Sequence, residues 1–135
     1  MRTAGQFSVE SFVPAPVQPS PPISTGLPVG VATMAKTYSG DVAGHSSTIF
    51  TAAFDQASGV GTYVAMDSFE GTLDGREGAF VFAHAASTAG SDRSGEYFVI
   101  VAGSGLGELA GITGGGGMSV DADGTHRVWF DYSLG

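Results

Sequence analysis

Residues 103–117 read GSGLGELAGITGGGG, eight glycines in fifteen positions, and run directly into MSVD at 118–121. Three structures accommodate so much glycine: a loop that cradles phosphate, a free linker, or a strand with no room for side chains. A phosphate loop of the GxxxxGK[ST] kind needs a lysine to reach the phosphates, and no lysine follows Gly103. The GSGLGELAG portion lacks the strand-then-helix setting of a dinucleotide fingerprint, because a run of four glycines is a poor helix start and MSVD is extended in character. A solvated linker is opposed by Leu106, Leu109 and Ile112. What remains is a strand that another backbone or a bulky neighbour approaches closely, or that bends at a corner of a closed sheet.

On both sides of this stretch the chain has β character. The runs 29–40, 45–55, 61–71, 78–87, 95–103 and 126–134 are rich in Val, Ile, Thr and aromatics and are bounded by Gly, Asp or Ser. None carries a helical i, i+3, i+4, i+7 apolar stripe. Turn chemistry separates them at 39–41, 55–59, 73–78, 88–95 and 121–124. Such short connections predict antiparallel hairpins. With a first strand carrying Phe7, Val9 and Val13 on one face, and the glycine-rich strand, the count is about eight. Closing the sheet removes its exposed edges, so the expectation is an all-β, roughly eight-stranded antiparallel up-and-down barrel in one domain, residues 1–135.

All six prolines lie between Pro14 and Pro28. Proline lacks a backbone donor and has a fixed φ, which predicts a semi-rigid connection or lid at 14–28 rather than a central strand.

Alternation assigns the interior. His126, Val128, Phe130, Tyr132 and Leu134 form the inner face of the last strand. Phe80, Phe82 and His84 point inward by the same test, as do Tyr97, Val99 and Val101. An eight-stranded barrel is either filled by such side chains or holds one small ligand.

Composition excludes several functions. Five Lys/Arg against thirteen Asp/Glu give a formal charge of −8, which argues against nucleic acid and anionic membrane surfaces. The absence of cysteine removes disulfides, thiolate catalysis and thiolate-ligated metals. No apolar run reaches the length of a membrane helix or forms a secretory signal, so a cytoplasmic protein is expected. The mild overall hydropathy leaves room for a homodimer or other homo-oligomer. Three histidines occur without HxH or HExxH spacing, so no metal and no other cofactor is expected.

Several pieces carry a family resemblance: GQFSVESF at 5–12, KTYSGDVAG at 36–44, FEGTLDGREGAFVFAH at 69–84, GSGLGELAGITGGGG at 103–117 and the closing VWFDYSL. Together they resemble a bacterial domain-of-unknown-function family, number 3224. The glycine-rich strand is similar to that of the allene oxide cyclase and dirigent barrels, among which that family is placed. The proline-rich segment and residues 85–95 depart from the pattern. The resemblance implies an allene-oxide-cyclase-like barrel and names no reaction.

Two functional readings follow. In the first, the chain is a cofactor-independent isomerase or cyclase that holds a small, largely apolar molecule in a reactive conformation inside the barrel. His84 is the foremost acid/base candidate because its ordinary pKa lies near neutrality. Glu70 would project into the barrel mouth and work with it across the hairpin, its alternative being a surface ion pair in the turn. Phe80, Phe82, Tyr63, Tyr97, His126, Phe130 and Tyr132 would line the ligand. Glu10 and Asp67 are further polar candidates. In the second reading the barrel binds a small hydrophobic ligand without catalysis, or is plugged by its own side chains. His84 would then be a satisfied core histidine.

Overall fold

The computed structural model describes residues 1–135 and holds nine strands and no helix, so no helix is long and apolar enough to cross a membrane. In chain order they are β1 (Arg2–Ala15), β2 (Val29–Gly40), β3 (Val42–Asp55), β4 (Val60–Leu73), β5 (Arg76–Ala89), β6 (Asp92–Ile100), β7 (Leu106–Gly107), β8 (Thr113–Val120) and β9 (His126–Ser133). All pairings are antiparallel, and they run β4-β3-β2-β1-β9-β8-β6-β5 before β4–β5 pairing closes the ring. The ninth strand, β7, is a two-residue piece on β5 at Gly78 and Ala79. The ring itself therefore has the expected eight members.

The glycine-rich stretch divides at Ile112. Its first half is a loop that crosses one end of the ring and drives Leu109 and Ile112 into the core, both fully buried. Each such side chain contributes roughly 1.5–3 kcal/mol by leaving water. Its second half is β8, and here the missing side chains matter. The indole of Trp129 lies where a Cβ on Gly117 would stand, and the Phe98 ring comes within 3.0 Å of a Cβ on Gly116. Gly111 has φ +80° and faces the Leu134 carbonyl at 3.0 Å from a built Cβ. Gly111→Val is therefore expected to cost more than about 1 kcal/mol, read as a lowered melting temperature.

The ring has a closed and an open end. At the closed end Asp74, in a two-residue Asp-Gly turn, accepts from Thr3 Oγ1 at 2.8 Å and from the Tyr132 hydroxyl at 2.7 Å. Above it sits a core of Tyr38, Phe69, Phe80, Phe82, Ile100, Phe130 and neighbours. The open end carries the β3–β4, β5–β6 and β8–β9 turns and the long β1–β2 connection.

Two alternation readings require correction. A bulge between Val9 and Ser11 shifts the phase of β1. Phe12 therefore joins the face of Phe7 and packs on Phe50 at 5.7 Å, while Val13 turns outward. In β6 the inner set is Phe98 and Ile100, paired with His84 and Phe82. Tyr97 faces out at 59% exposure, because its partner Ala85 lies on the outer face of β5. β1 runs on through Pro14 to Ala15, and residues 16–28 carry no strand and are exposed except at Leu27.

Candidate functional site

Six polar residues are buried, and five of them form one cluster: Lys36, Ser46, Thr48, Asp67 and His84. Strand phase brings them together. Lys36 lies between Met34 and Tyr38 on the inner face of β2, and Ser46 and Thr48 occupy successive inner positions of β3. Asp67 lies between Ala65 and Phe69 on β4, and His84 follows Phe82 on β5.

Asp67 is wholly buried and is the hub. It accepts from Lys36 Nζ at 3.1 Å, Ser46 Oγ at 2.9 Å, the Thr48 hydroxyl, and His84 Nε2 at 2.8 Å. Burial is the largest influence on its carboxyl and pushes the pKa up. The His84 hydrogen bond, the Lys36 charge and the Thr48 hydroxyl together outweigh burial and hold Asp67 below the ordinary 3.8. Asp67 is thus a carboxylate at neutral pH. Since Ser46 gives its proton to Asp67, the Tyr38 hydroxyl, 2.8 Å away, donates to Ser46. Burial, followed by the nearby Asp67 charge, raises the Tyr38 pKa, so Tyr38 stays protonated.

The chain of contacts continues toward solvent. His84 Nδ1 lies 2.9 Å from the Tyr63 hydroxyl, and Arg93 Nη2 donates to the Tyr63 oxygen at 3.1 Å. With His84 neutral, its Nε2–H donates to Asp67, which leaves Nδ1 to accept the Tyr63 proton. Arg93 Nε is in turn bonded to Glu96 at 2.7 Å. The imidazole packs beside the stacked pair Phe82 and Phe98, its centroid 5.8 and 5.9 Å from theirs and its plane within 25° of both.

This relay borders a cavity of about 350 Å³ at the open end, which lies at the lower end of small-molecule sites. Lys36, His84 and Tyr63 meet it from below and the side. Its walls are largely apolar, with Met34, Phe50, Phe54 and Met118 among them, and Phe50 stacks on Tyr63 at 5.3 Å. Exposed Val9, Phe54 and Val120 make an apolar rim. No residue of the proline-rich segment lines the cavity.

Of the candidate residues, His84, Tyr63 and His126 border the cavity. Phe80, Phe82 and Phe130 point inward but belong to the packed core beneath it, and Tyr132 is at the closed end on Asp74. Tyr97 lies outside the ring wall. Glu70 does not reach His84. It is on the outer face of β4, where it pairs with His45 at 3.1 Å across the β3 rung, both side chains well exposed. The even phase of Glu70 puts it opposite in face to Asp67 and Phe69, so the carboxylate that meets His84 is Asp67. Glu10 is likewise external, held by Ser8 and Thr37.

Lys36, Ser46, Thr48 and Arg93 were not singled out by sequence reasoning. The readable signal was a lysine at the inward phase of a strand, two positions before Tyr38. No group of three or more His, Asp or Glu side chains is gathered as metal ligands.

A family model described as a protein of unknown function (DUF3224) matches residues 3–132. The chain is also similar to a crystal structure of a protein with unknown function from the DUF3224 family from Shewanella oneidensis MR-1. The identity is 27% and the TM-score 0.84, covering 100% of this chain and 98% of that one. A search of curated proteins gives no match.

Proposed function

We propose, for a chain that belongs to the DUF3224 family and so to a family whose name assigns no activity, that it is an allene-oxide-cyclase-like barrel acting as a cofactor-independent isomerase on a small, largely apolar molecule. The observation that carries this reading is the buried Asp67–His84 pair, continued through half-buried Tyr63 to an apolar cavity. A buried ion pair is a poor stabiliser compared with apolar side chains of the same volume. A five-residue polar cluster in the core of a small domain is therefore better explained by what it does than by what it holds together.

The chemistry is proton transfer. Passing the Tyr63 proton to His84 Nδ1 makes a phenolate beside the Arg93 guanidinium and an imidazolium beside the Asp67 carboxylate. Each new charge meets an opposite one already in place. The phenolate takes a proton from an activated C–H of the bound molecule and returns a proton to another of its atoms. Tyr63 and His84 end as they began, and no oxidant, reductant or second substrate is consumed. The snug apolar walls supply the conformational restriction that a cyclisation or double-bond shift requires.

One observation favours the second reading, a non-catalytic binding barrel: every buried side-chain polar atom already has a partner within the chain. Both readings require an occupied cavity. The neutral fluorophore N-phenyl-1-naphthylamine is expected to bind the wild-type protein with enhanced emission. Ala52→Trp, which places an indole in the cavity from the β3 wall, is expected to abolish that enhancement while leaving the melting temperature close to wild type. Equal emission from the two proteins would mean that the dye binds elsewhere and that the cavity is not the site.

A further inference from the structure

The chain carries thirteen Asp/Glu and five Lys/Arg, yet no Asp or Glu lines the cavity. Two of the five Lys/Arg, Lys36 and Arg93, do line it, and so do two of the three histidines, His84 and His126. The carboxylates that balance the two cations stand behind them. Asp67 lies beneath Lys36 and does not border the cavity, and Glu96 holds Arg93 Nε from a side chain that is half exposed. None of the ionisable groups that face the cavity is a carboxylic acid, although Asp67 lies inside the ring just beneath Lys36, and this runs against the balance of the whole chain.

Arg93 has a donor to spare. Its Nε is taken by Glu96 and its Nη2 by the Tyr63 oxygen, while Nη1 has no hydrogen-bond partner within the chain. A guanidinium edge at the mouth of an apolar cavity suits a carboxylate, because the charge-assisted hydrogen bond is stronger than a neutral one and adds to the apolar contacts of the ligand body.

We infer that the molecule held in the cavity is a small amphiphilic carboxylate, its anionic head on Arg93 and its apolar body over Phe50, Met34 and Met118. This rests on the reading that the cavity is a binding site and adds the charge of its ligand. Electrostatic focusing by the inward-facing cations offsets the net negative charge of the protein, which would otherwise repel an anion.

The test is displacement of N-phenyl-1-naphthylamine at neutral pH by two competitors of matched shape, 2-naphthoate and 2-naphthamide. Naphthoate is expected to compete roughly tenfold more tightly than the amide. Arg93→Gln should bring the two within about twofold of each other by weakening naphthoate alone. Glu96→Gln, which frees Nε and removes a nearby negative charge, should act in the opposite direction and tighten naphthoate. An amide that competes as well as the acid, or a preference untouched in Arg93→Gln, overturns the assignment while leaving a neutral-ligand cavity standing. If the dye fails to bind wild type, or binds Ala52→Trp equally, the cavity reading falls and this inference with it.

Discussion

Asp67→Leu is expected to destabilise the fold by about 3–5 kcal/mol, because it leaves the Lys36 ammonium buried without a counter-charge. In a domain of this length the melting temperature should fall by more than about 10 °C. The substitution also strands the Ser46 and Thr48 hydroxyls and the His84 N–H, all of which donate to Asp67. Lys36→Met should cost less, since the remaining carboxylate keeps three donors. The double variant Lys36→Met/Asp67→Leu should cost clearly less than the sum of the two, because no uncompensated charge is left inside.

The same hub gives the stability a defined dependence on acid. The folded pKa of Asp67 lies below its unfolded value of 3.8, so its contribution is complete above that value. It is lost as pH falls through the lower folded pKa. Acid unfolding of the wild type should include this loss, and Asp67→Leu should show a shallower acid limb from a lower plateau. Additive costs in the double variant would mean that Lys36 and Asp67 are not coupled as the geometry requires.

Tyr63→Phe carries the second large effect, on turnover rather than on the fold. It deletes one hydroxyl that links His84 Nδ1 to Arg93 and leaves the aromatic ring stacked on Phe50. Tyr63 is only partly buried, so stability should change by no more than about 1 kcal/mol. If Tyr63 exchanges the proton with the bound molecule, the rate should drop by about a hundred- to ten-thousand-fold. Naphthoate affinity should stay within about threefold, since the Arg93 Nη1 edge remains available. A catalytic loss matched by an equal loss of affinity would instead make Tyr63 a wall of the site.

Much of the ring was legible in the sequence because strand alternation and turn chemistry are local. His126, Val128, Phe130 and Tyr132 fall on the inner face of β9 as their period of two requires, and so do Phe80, Phe82 and His84 on β5. Local rules fail where an added or unpaired residue shifts the phase. The bulge between Val9 and Ser11 moved Val13 outward, and in β6, where both faces are apolar, Phe98 and Ile100 rather than Tyr97 and Val99 face inward. The stretch from Gly103 to Ile112 reads as strand because Leu106, Leu109 and Ile112 oppose a solvated linker. A loop folded across the closed end buries Leu109 and Ile112 equally well, and leaves Leu106 exposed.

The site was legible only in part, for a different reason. His84 was identifiable from its phase, but its partner depends on register between strands, which spacing along one strand does not encode. The pairing Asp67↔Phe82 and Ala65↔His84 brings the Asp67 carboxylate to the imidazole diagonally, whereas Glu70 pairs with Ala79 and faces away. Lys36 was overlooked because lysine is almost never fully buried unless paired, and its pair lies on a strand thirty-one residues further along.

The most direct measurement of the proton-transfer claim is hydrogen exchange at the benzylic carbon of phenylpyruvate in D₂O, followed by proton NMR. This probe joins an enolisable C–H to an aromatic body and a carboxylate. Wild-type protein is expected to accelerate exchange above the buffer rate, and Tyr63→Phe and Ala52→Trp to return it to that rate. Exchange equally fast with wild type and Tyr63→Phe would contradict the relay as a catalyst and leave the chain a binding barrel.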